Sequence, residues 1–422
     1  MFGQADTLAP LADDTDNLAH HPRMLHVIAS HQGRPSDDPI FALNREATER
    51  KARGESIVNA TVGALLEDDG RLAILPTAAR AVKEVRETEW AEYAPIAGSP
   101  AFLRAVMDDL LGTEARLREA AFAVATPGGT GALRHAIANF LEPGQSLLTT
   151  SFFWGPYQTL ADESDRKVTT FQMFAADGTL DTEALDGALA AQVAEQKRVL
   201  LFLNDPCHNP TGYSMRASEW KAVVEKVLAH AEKAPITVLV DCAYFAYSPG
   251  DPRAFLRELL PLVGRCALLF AWSASKTFTH YGLRVGALVA CIADEKARAV
   301  TQAALSYSCR GTWSNCNRGG LAAVTRLLSE RDLARACDEE RAGMIAMLGA
   351  RVRAFNTLAQ ARGLAYPRYD GGFFVTVFDA DAAAKAERMR KAGVFVVPQK
   401  GALRVALCGV PERDVERLVG AF

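Results

Sequence analysis

Lys276 stands in SASKTFTHYGLRVG (273–286), directly after the apolar run CALLFAW (266–272), among small hydroxylated residues and upstream of Arg284. A lysine so placed is either a solvated loop residue or an amine kept partly dry, where burial holds it neutral and nucleophilic. DCAYF (241–245) ends another apolar run with an acid and a phenol, Asp241 and Tyr244. Asp241 could equally cap a following helix. NDPCHNPTG (204–212) closes a third run. Its Asn-Pro and Thr-Gly pairs suit a turn, and they place Asn209 at the end of a strand, where α/β sheets bind ligands. TPGGTGAL (126–133) brings Gly128, Gly129 and Thr130 to a strand-to-helix turn. That turn is either a plain tight one or a cradle of free N–H groups for a phosphate. A dinucleotide GxGxxG pattern fails there, because Arg134 occupies its third glycine position.

Taken together, these points offer an amine, an acid, an amide, a phenol, an arginine and a phosphate turn. Pyridoxal phosphate needs such a set: an amine for a Schiff base, an acid for the ring nitrogen, donors for the phenolic oxygen and an anion pocket. No metal cluster, GxSxG elbow or P-loop lysine competes with that reading. His21, His26 and His31 recur every five residues, a spacing that does not share a helical face, so a mobile N-terminal arm is expected there rather than a metal site.

Short β-rich runs must position these residues. AFAVATPGG, SLLTT, RVLLFLND, ITVLVDCAYF, CALLFAWS and VGALVACI alternate with helical patterns, and several are apolar almost throughout. Strands of that kind are covered on both faces, which predicts a mostly parallel α/β sheet. The spacing of Leu133, Ile137, Phe140 and Leu141 predicts a helix starting near Thr130. After residue 315 the pattern turns to long helices and then to GGFFVTVF, GVFVVP and ALRVAL, a smaller α+β unit.

A chain of 422 residues, 49% hydrophobic, has ample core for a large domain with a smaller one attached. A net charge of -3 without a basic run argues against nucleic acid as a partner. No stretch is long and apolar enough to span a membrane, and the acidic N-terminus is no secretory signal. Eight scattered cysteines without a CxxC pair predict a reducing compartment, so the expected location is cytoplasmic.

HNPTG, DCAYF and SxSKxFxxYGLRVG, in this order and spacing, resemble the fold-type I pyridoxal-phosphate enzymes, close to the aspartate and aromatic aminotransferases. The resemblance runs from DDPIFALNREATER (37–50) to ALRVAL (402–407). It implies a mostly parallel seven-stranded sheet between helices in a large domain, 71–318. A small α+β domain is implied over 36–70 and 319–422, after an N-terminal arm of 1–35. Lys276 would hold pyridoxal 5′-phosphate as an imine and move a proton at the substrate Cα. Asp241 would pair with the ring nitrogen, and Asn209 and Tyr244 with the phenolic oxygen. Gly128, Gly129, Thr130, Ser273 and Arg284 would take the phosphate, and Trp154, in SFFWGPY, would stack on the ring.

EYAPIAGSPAF (92–102) resembles the segment that lends a tyrosine, here Tyr93, to the neighbouring subunit's phosphate, which implies a homodimer. Arg404 matches the arginine for the substrate α-carboxylate, and Gly63 the glycine near it. Arg310, in SYSCRGTWSNCN, is in register with the arginine for a distal carboxylate, again reaching across the dimer. The implied reaction is ping-pong transamination between an L-amino acid (aspartate, glutamate or aromatic) and a 2-oxo acid such as 2-oxoglutarate. The alternative on this fold is a C–S β-lyase or a decarboxylase. A regulator on the same fold would need a DNA-binding module, for which the segment ahead of the match is too short. Leu65, Ser275 and Gly372 depart from the family pattern, and these changes are expected to widen or reshape the pocket.

Overall fold

The computed structural model describes residues 26–35 and 37–422. Residues 1–25 of the expected arm, with His21, lie outside the described residues. The described part of the arm holds a short turn, Ala29–His31.

Among the described residues the largest sheet has seven strands. They are β1 (Ala121–Pro127), β2 (Ser146–Thr150), β3 (Lys167–Phe171), β4 (Val199–Asn204), β5 (Ile236–Asp241), β6 (Ala267–Ser273) and β7 (Val285–Cys291). Their spatial order is β1-β7-β6-β5-β4-β2-β3, parallel throughout except for β7, which runs against both β1 and β6. Every residue of β4, β5 and β7 is buried, as continuous apolar runs covered by helices on both faces require. The strand β3 was not anticipated. Its sequence KVTTF leaves Lys167, Thr169 and Thr170 exposed, because it lies at the sheet edge and has little apolar pattern to read.

The helix after β1 begins at Gly128, two residues before Thr130, and runs to Phe140. It buries Ala132, Leu133, Ala136, Ile137 and Phe140 against the sheet. A second core gathers both halves of the smaller unit. Val375–Phe378, Val397–Gln399 and Ala402–Val405 form a three-stranded antiparallel sheet, and Val58–Asn59 pairs in parallel with Val394–Phe395. Val58, Ala60, Val375, Leu403 and Leu418 pack together there.

One long helix, Arg331–Ala361, serves both cores. Leu333, Met344 and Leu348 pack with the large sheet, and Val352, Phe355 and Ala359 with the second core. The preceding helix, Arg318–Ser329, still packs against the first core through Leu321, Val324 and Leu327. The change of core therefore comes within the long helix, later than residue 319, because amphipathic packing rather than composition decides it. No described helix is long and apolar enough to cross a membrane, and all eight cysteines are free.

Candidate active site

The carboxyl ends of β4, β5 and β6 deliver Asn204, Asp241 and Ser273 to one edge of the sheet. The strand β7 runs the other way, so its entry rather than its exit lies at that edge, and Arg284 immediately precedes it. The helix after β1 points its N-terminus to the same place, with Gly129 and Thr130 in its first turn. These elements enclose a cavity of about 270 Å³ lined by Gly129, Thr130, Trp154, Asn209, Asp241, Tyr244, Ser273, Lys276 and Arg284, among others. Nine residues named from sequence thus meet in one space.

Asp241 is buried and held from three sides. Its Oδ2 accepts from Tyr157 Oη at 2.7 Å and its Oδ1 from Ala243 N at 3.1 Å, while Asn204 Nδ2 donates to its backbone carbonyl at 2.7 Å. Burial pushes its pKa above the usual carboxylate value. Tyr157, the Ala243 amide and, most weakly, Lys276 oppose that rise. The Lys276 pKa is lowered, chiefly by burial, with Asp241 working against the fall and Arg284 adding to it. Its Nζ lies 5.3 Å from the Tyr244 ring centroid and 5.8 Å from that of Tyr281.

Asn209 Nδ2 donates to Tyr244 Oη at 3.4 Å, while Asn209 Oδ1 is buried without a partner. Arg284 Nη1 donates to Ser275 Oγ and to the Tyr281 carbonyl, neither of them charged. Gly128, at φ 72, passes so close that a Cβ there would come within 2.5 Å of Arg284 Nη2. A guanidinium without a carboxylate partner, beside a helix N-terminus, is an anion site.

Arg404 and Gly63 both lie against Phe374. The Arg404 guanidinium sits 4.9 Å from that ring's centroid, and Gly63 packs against the ring. Arg404 is buried, its Nη2 donates to the Thr61 carbonyl, and its Nε has no partner. Phe374 in turn meets Tyr244 edge-on at 5.7 Å. The structure does not bring Tyr93 or Arg310 into this cavity. Tyr93 is 87% exposed, and Arg310, also exposed, donates to Ser314 Oγ at 2.6 Å.

Of the three departures, Ser275 lines the cavity, whereas Leu65 and Gly372 do not. Leu65 is fully buried in the first core, and Gly372, at φ 91, packs against Cys207, where a Cβ would come within 2.6 Å. Three residues escaped sequence reasoning: Tyr157, Asn204 and Tyr281. Asn204 and Tyr281 lay inside motifs already singled out, and Tyr157 stands in SFFWGPY beside Trp154.

The model of the family described as aminotransferase class I and II matches residues 55–422. An aromatic-amino-acid aminotransferase of Pseudomonas aeruginosa is 28% identical over 405 residues, 92% of this chain and 96% of that protein. An aspartate aminotransferase of Salmonella typhi is 30% identical over 320 residues, covering 73% and 77%. The solved structure of an aminotransferase from Anaerococcus prevotii superposes with a TM-score of 0.90 at 30% identity, covering 94% of this chain and 98% of that one. Relatives of this kind do not favour a lyase or a decarboxylase. The chain belongs to the class I and II aminotransferases, transferases that exchange an amino group with the help of pyridoxal 5′-phosphate.

Proposed function

We propose that the cavity holds pyridoxal 5′-phosphate and that its residues carry transamination between an L-amino acid (aspartate, glutamate or aromatic) and a 2-oxo acid such as 2-oxoglutarate. The residues present suit that cofactor. A buried acid raised by desolvation gains most from a proton donor brought against it, an orphaned Asn209 oxygen awaits a donor, and the Arg284 site awaits an anion. When bound, the cofactor supplies an aromatic ring able to take up the electrons released when the substrate Cα loses its proton.

Lys276, which anchors the cofactor, removes that proton with its Nζ and returns it, and the lowered pKa leaves the amine free to do so. Asp241, oriented by Tyr157 and Ala243, holds the proton at the ring nitrogen. Asn209 and Tyr244 bind the phenolic oxygen, and Trp154 stacks on the ring. Gly128, Gly129, Thr130, Ser273 and Arg284 hold the phosphate by backbone N–H, hydroxyl and charge. Arg404, close to Gly63, grips the substrate α-carboxylate, since a planar guanidinium can make two parallel bonds to it. Tyr93 and Arg310 serve the cavity of a second copy in a homodimer. The large exposed aromatics Tyr93, Tyr307 and Trp90 support such a contact.

One observation carries the reading: an amine whose pKa is depressed by burial shares a cavity with a buried acid whose pKa is raised. The test is a single-turnover reaction of the cofactor-loaded protein with L-glutamate, L-aspartate or L-phenylalanine alone, followed by absorbance. Conversion of the bound cofactor to its amino form is expected. Release of pyruvate, ammonia and a thiol from a cysteine conjugate, without that conversion, would overturn it.

A further inference from the structure

The loop from Ala60 to Leu66 joins the two ends of the proposed reaction. It is fastened to the core that carries Arg404: the Ala406 amide donates to the Ala60 carbonyl, Arg404 Nη2 to the Thr61 carbonyl, and the Leu66 amide to the Cys408 carbonyl. The fully buried Arg351 adds a bond from Nη2 to the Leu66 carbonyl at 2.7 Å. The Leu65 amide turns the other way and donates to Tyr281 Oη at 3.1 Å. Among the described residues this is the one hydrogen bond between residues 60–66 and the segment 273–286 that bears Lys276. A second hydroxyl of that segment, Thr279 Oγ1, accepts from the Leu75 amide at 3.2 Å, beyond the loop.

Tyr281 also lines the cavity, and its ring centroid is 5.8 Å from the Lys276 amine. Its phenol is thus a wall of the amine's site at one end and a fastening for the loop at the other. We propose, resting on the aminotransferase reading, that Tyr281 is a positioning residue. Its hydroxyl holds the loop attached to Arg404 in register with Lys276, so that a carboxylate gripped by Arg404 presents its neighbouring Cα to the Lys276 amine. The carboxyl carbon and Cα are directly bonded, so a small slip between the two anchors misplaces the reacting C–H bond. Errors of that size cost a large factor in rate. Buried amides left without an acceptor drift until they find one, so losing the phenol oxygen frees the loop to slip.

The experiment compares the cofactor-loaded wild type with Tyr281→Phe, which keeps the ring and removes the hydroxyl. Thr279→Val serves as a reference for a hydrogen bond lost from the same seam outside the loop. Amide hydrogen exchange should quicken at least tenfold at Leu65 in Tyr281→Phe and at Leu75 in Thr279→Val, each leaving the other amide unchanged. With L-glutamate, or L-phenylalanine if glutamate is inert, the single-turnover rate should fall by roughly 10- to 100-fold in Tyr281→Phe. The isotope effect from α-deuterated amino acid should rise, with cofactor content retained, and Thr279→Val should stay within about twofold of wild type. Unchanged exchange at Leu65, or faster exchange with an unchanged rate and isotope effect, overturns the proposal. A wild type with no amino-acid-dependent absorbance change sinks the aminotransferase reading, and this proposal with it.

Discussion

Two groups of buried charges sit side by side after β4, and they are treated in opposite ways. Asn204 opens the cavity that holds Asp241 and Lys276, with Arg404 nearby against Phe374, and none of the three has an ion pair among the described residues. The next residue, Asp205, belongs to a seam in which the chain's own side chains and amides fill the oxygens of both carboxylates, Asp205 through neutral donors and Glu219 with an ion pair. Arg368 Nη2 meets Glu219 Oε2 at 2.9 Å and stacks over the Tyr213 ring at 4.4 Å. Tyr213 Oη and the Leu180 and Arg216 amides complete the Glu219 carboxylate. Asp205 accepts from Trp220 Nε1 at 3.1 Å and from the Met215 amide at 2.8 Å. A buried charge left without a partner is costly to the fold, so a set of them in one cavity marks groups kept for a ligand. The completed seam marks structure.

The largest expected effect breaks the cavity at its amine. Lys276→Ala should lower the transamination rate by about 10⁴-fold or more, since both the covalent anchor and the proton carrier are lost. It should also abolish the imine absorbance of the purified protein, while urea unfolding stays near wild type because no partner charge is stranded. Arg404→Lys comes next. Losing the forked donor to a buried carboxylate should cost about 2–5 kcal/mol, roughly 30- to 5,000-fold in kcat/KM, measured by steady-state kinetics. Intact kinetics in either variant would mean that these unanswered charges are not held for substrate.

The contrast between the two groups was only half legible in the sequence. Strand ends could be read because apolar runs such as RVLLFLND and ITVLVDCAYF stop abruptly at polar residues, and Lys276, Asp241 and Asn209 stand at or just past those stops. The strand β3 could not be read, since an edge strand need not be apolar and KVTTF looks like any polar loop. Tyr157 was hidden for a different reason. It reaches Asp241 from a seven-residue helix 84 positions away, and no local period encodes a contact between two strands' worth of folded chain. Ser275 and Thr279 had no specific role in sequence, yet one accepts from Arg284 and the other from the Leu75 amide. Both are partnerships that form only when the sheet edge is assembled.

At the seam the expected effects move from rate to stability. Glu219→Gln takes the buried counter-charge from Arg368, leaving it only the exposed Asp370 at 3.3 Å, and should cost about 3 kcal/mol in urea unfolding. Single-turnover rates with L-glutamate should remain within about twofold. A stability change below about 1 kcal/mol, or a collapse of the half-reaction with the fold intact, would erase the distinction between the two groups.

A last expected effect separates the two carboxylates within the seam by pH. Burial raises the Asp205 pKa to about 7, with the nearby Glu219 charge adding to the rise and the Met215 amide, Trp220 and Arg368 opposing it. The unfolded value is about 3.9, so between these limits the folded chain binds a proton that the unfolded chain lacks. That contribution to stability is full below about pH 4 and is lost as the pH rises through about 7. Glu219 behaves in the opposite sense. Burial acts to raise its pKa, but the bonds from Tyr213, Arg216, Leu180 and Arg368 outweigh it and leave it lowered. Its contribution is present above the unfolded value of about 4.3 and is lost as the pH falls through the lower folded value. Unfolding free energies measured from pH 2 to 8 should therefore show Asp205→Asn gaining on wild type as the pH rises and levelling off above about 7. Glu219→Gln should recover toward wild type only in acid. Parallel profiles for the two variants would mean that the seam titrates as one unit, because only separately held carboxylates can shift in opposite directions.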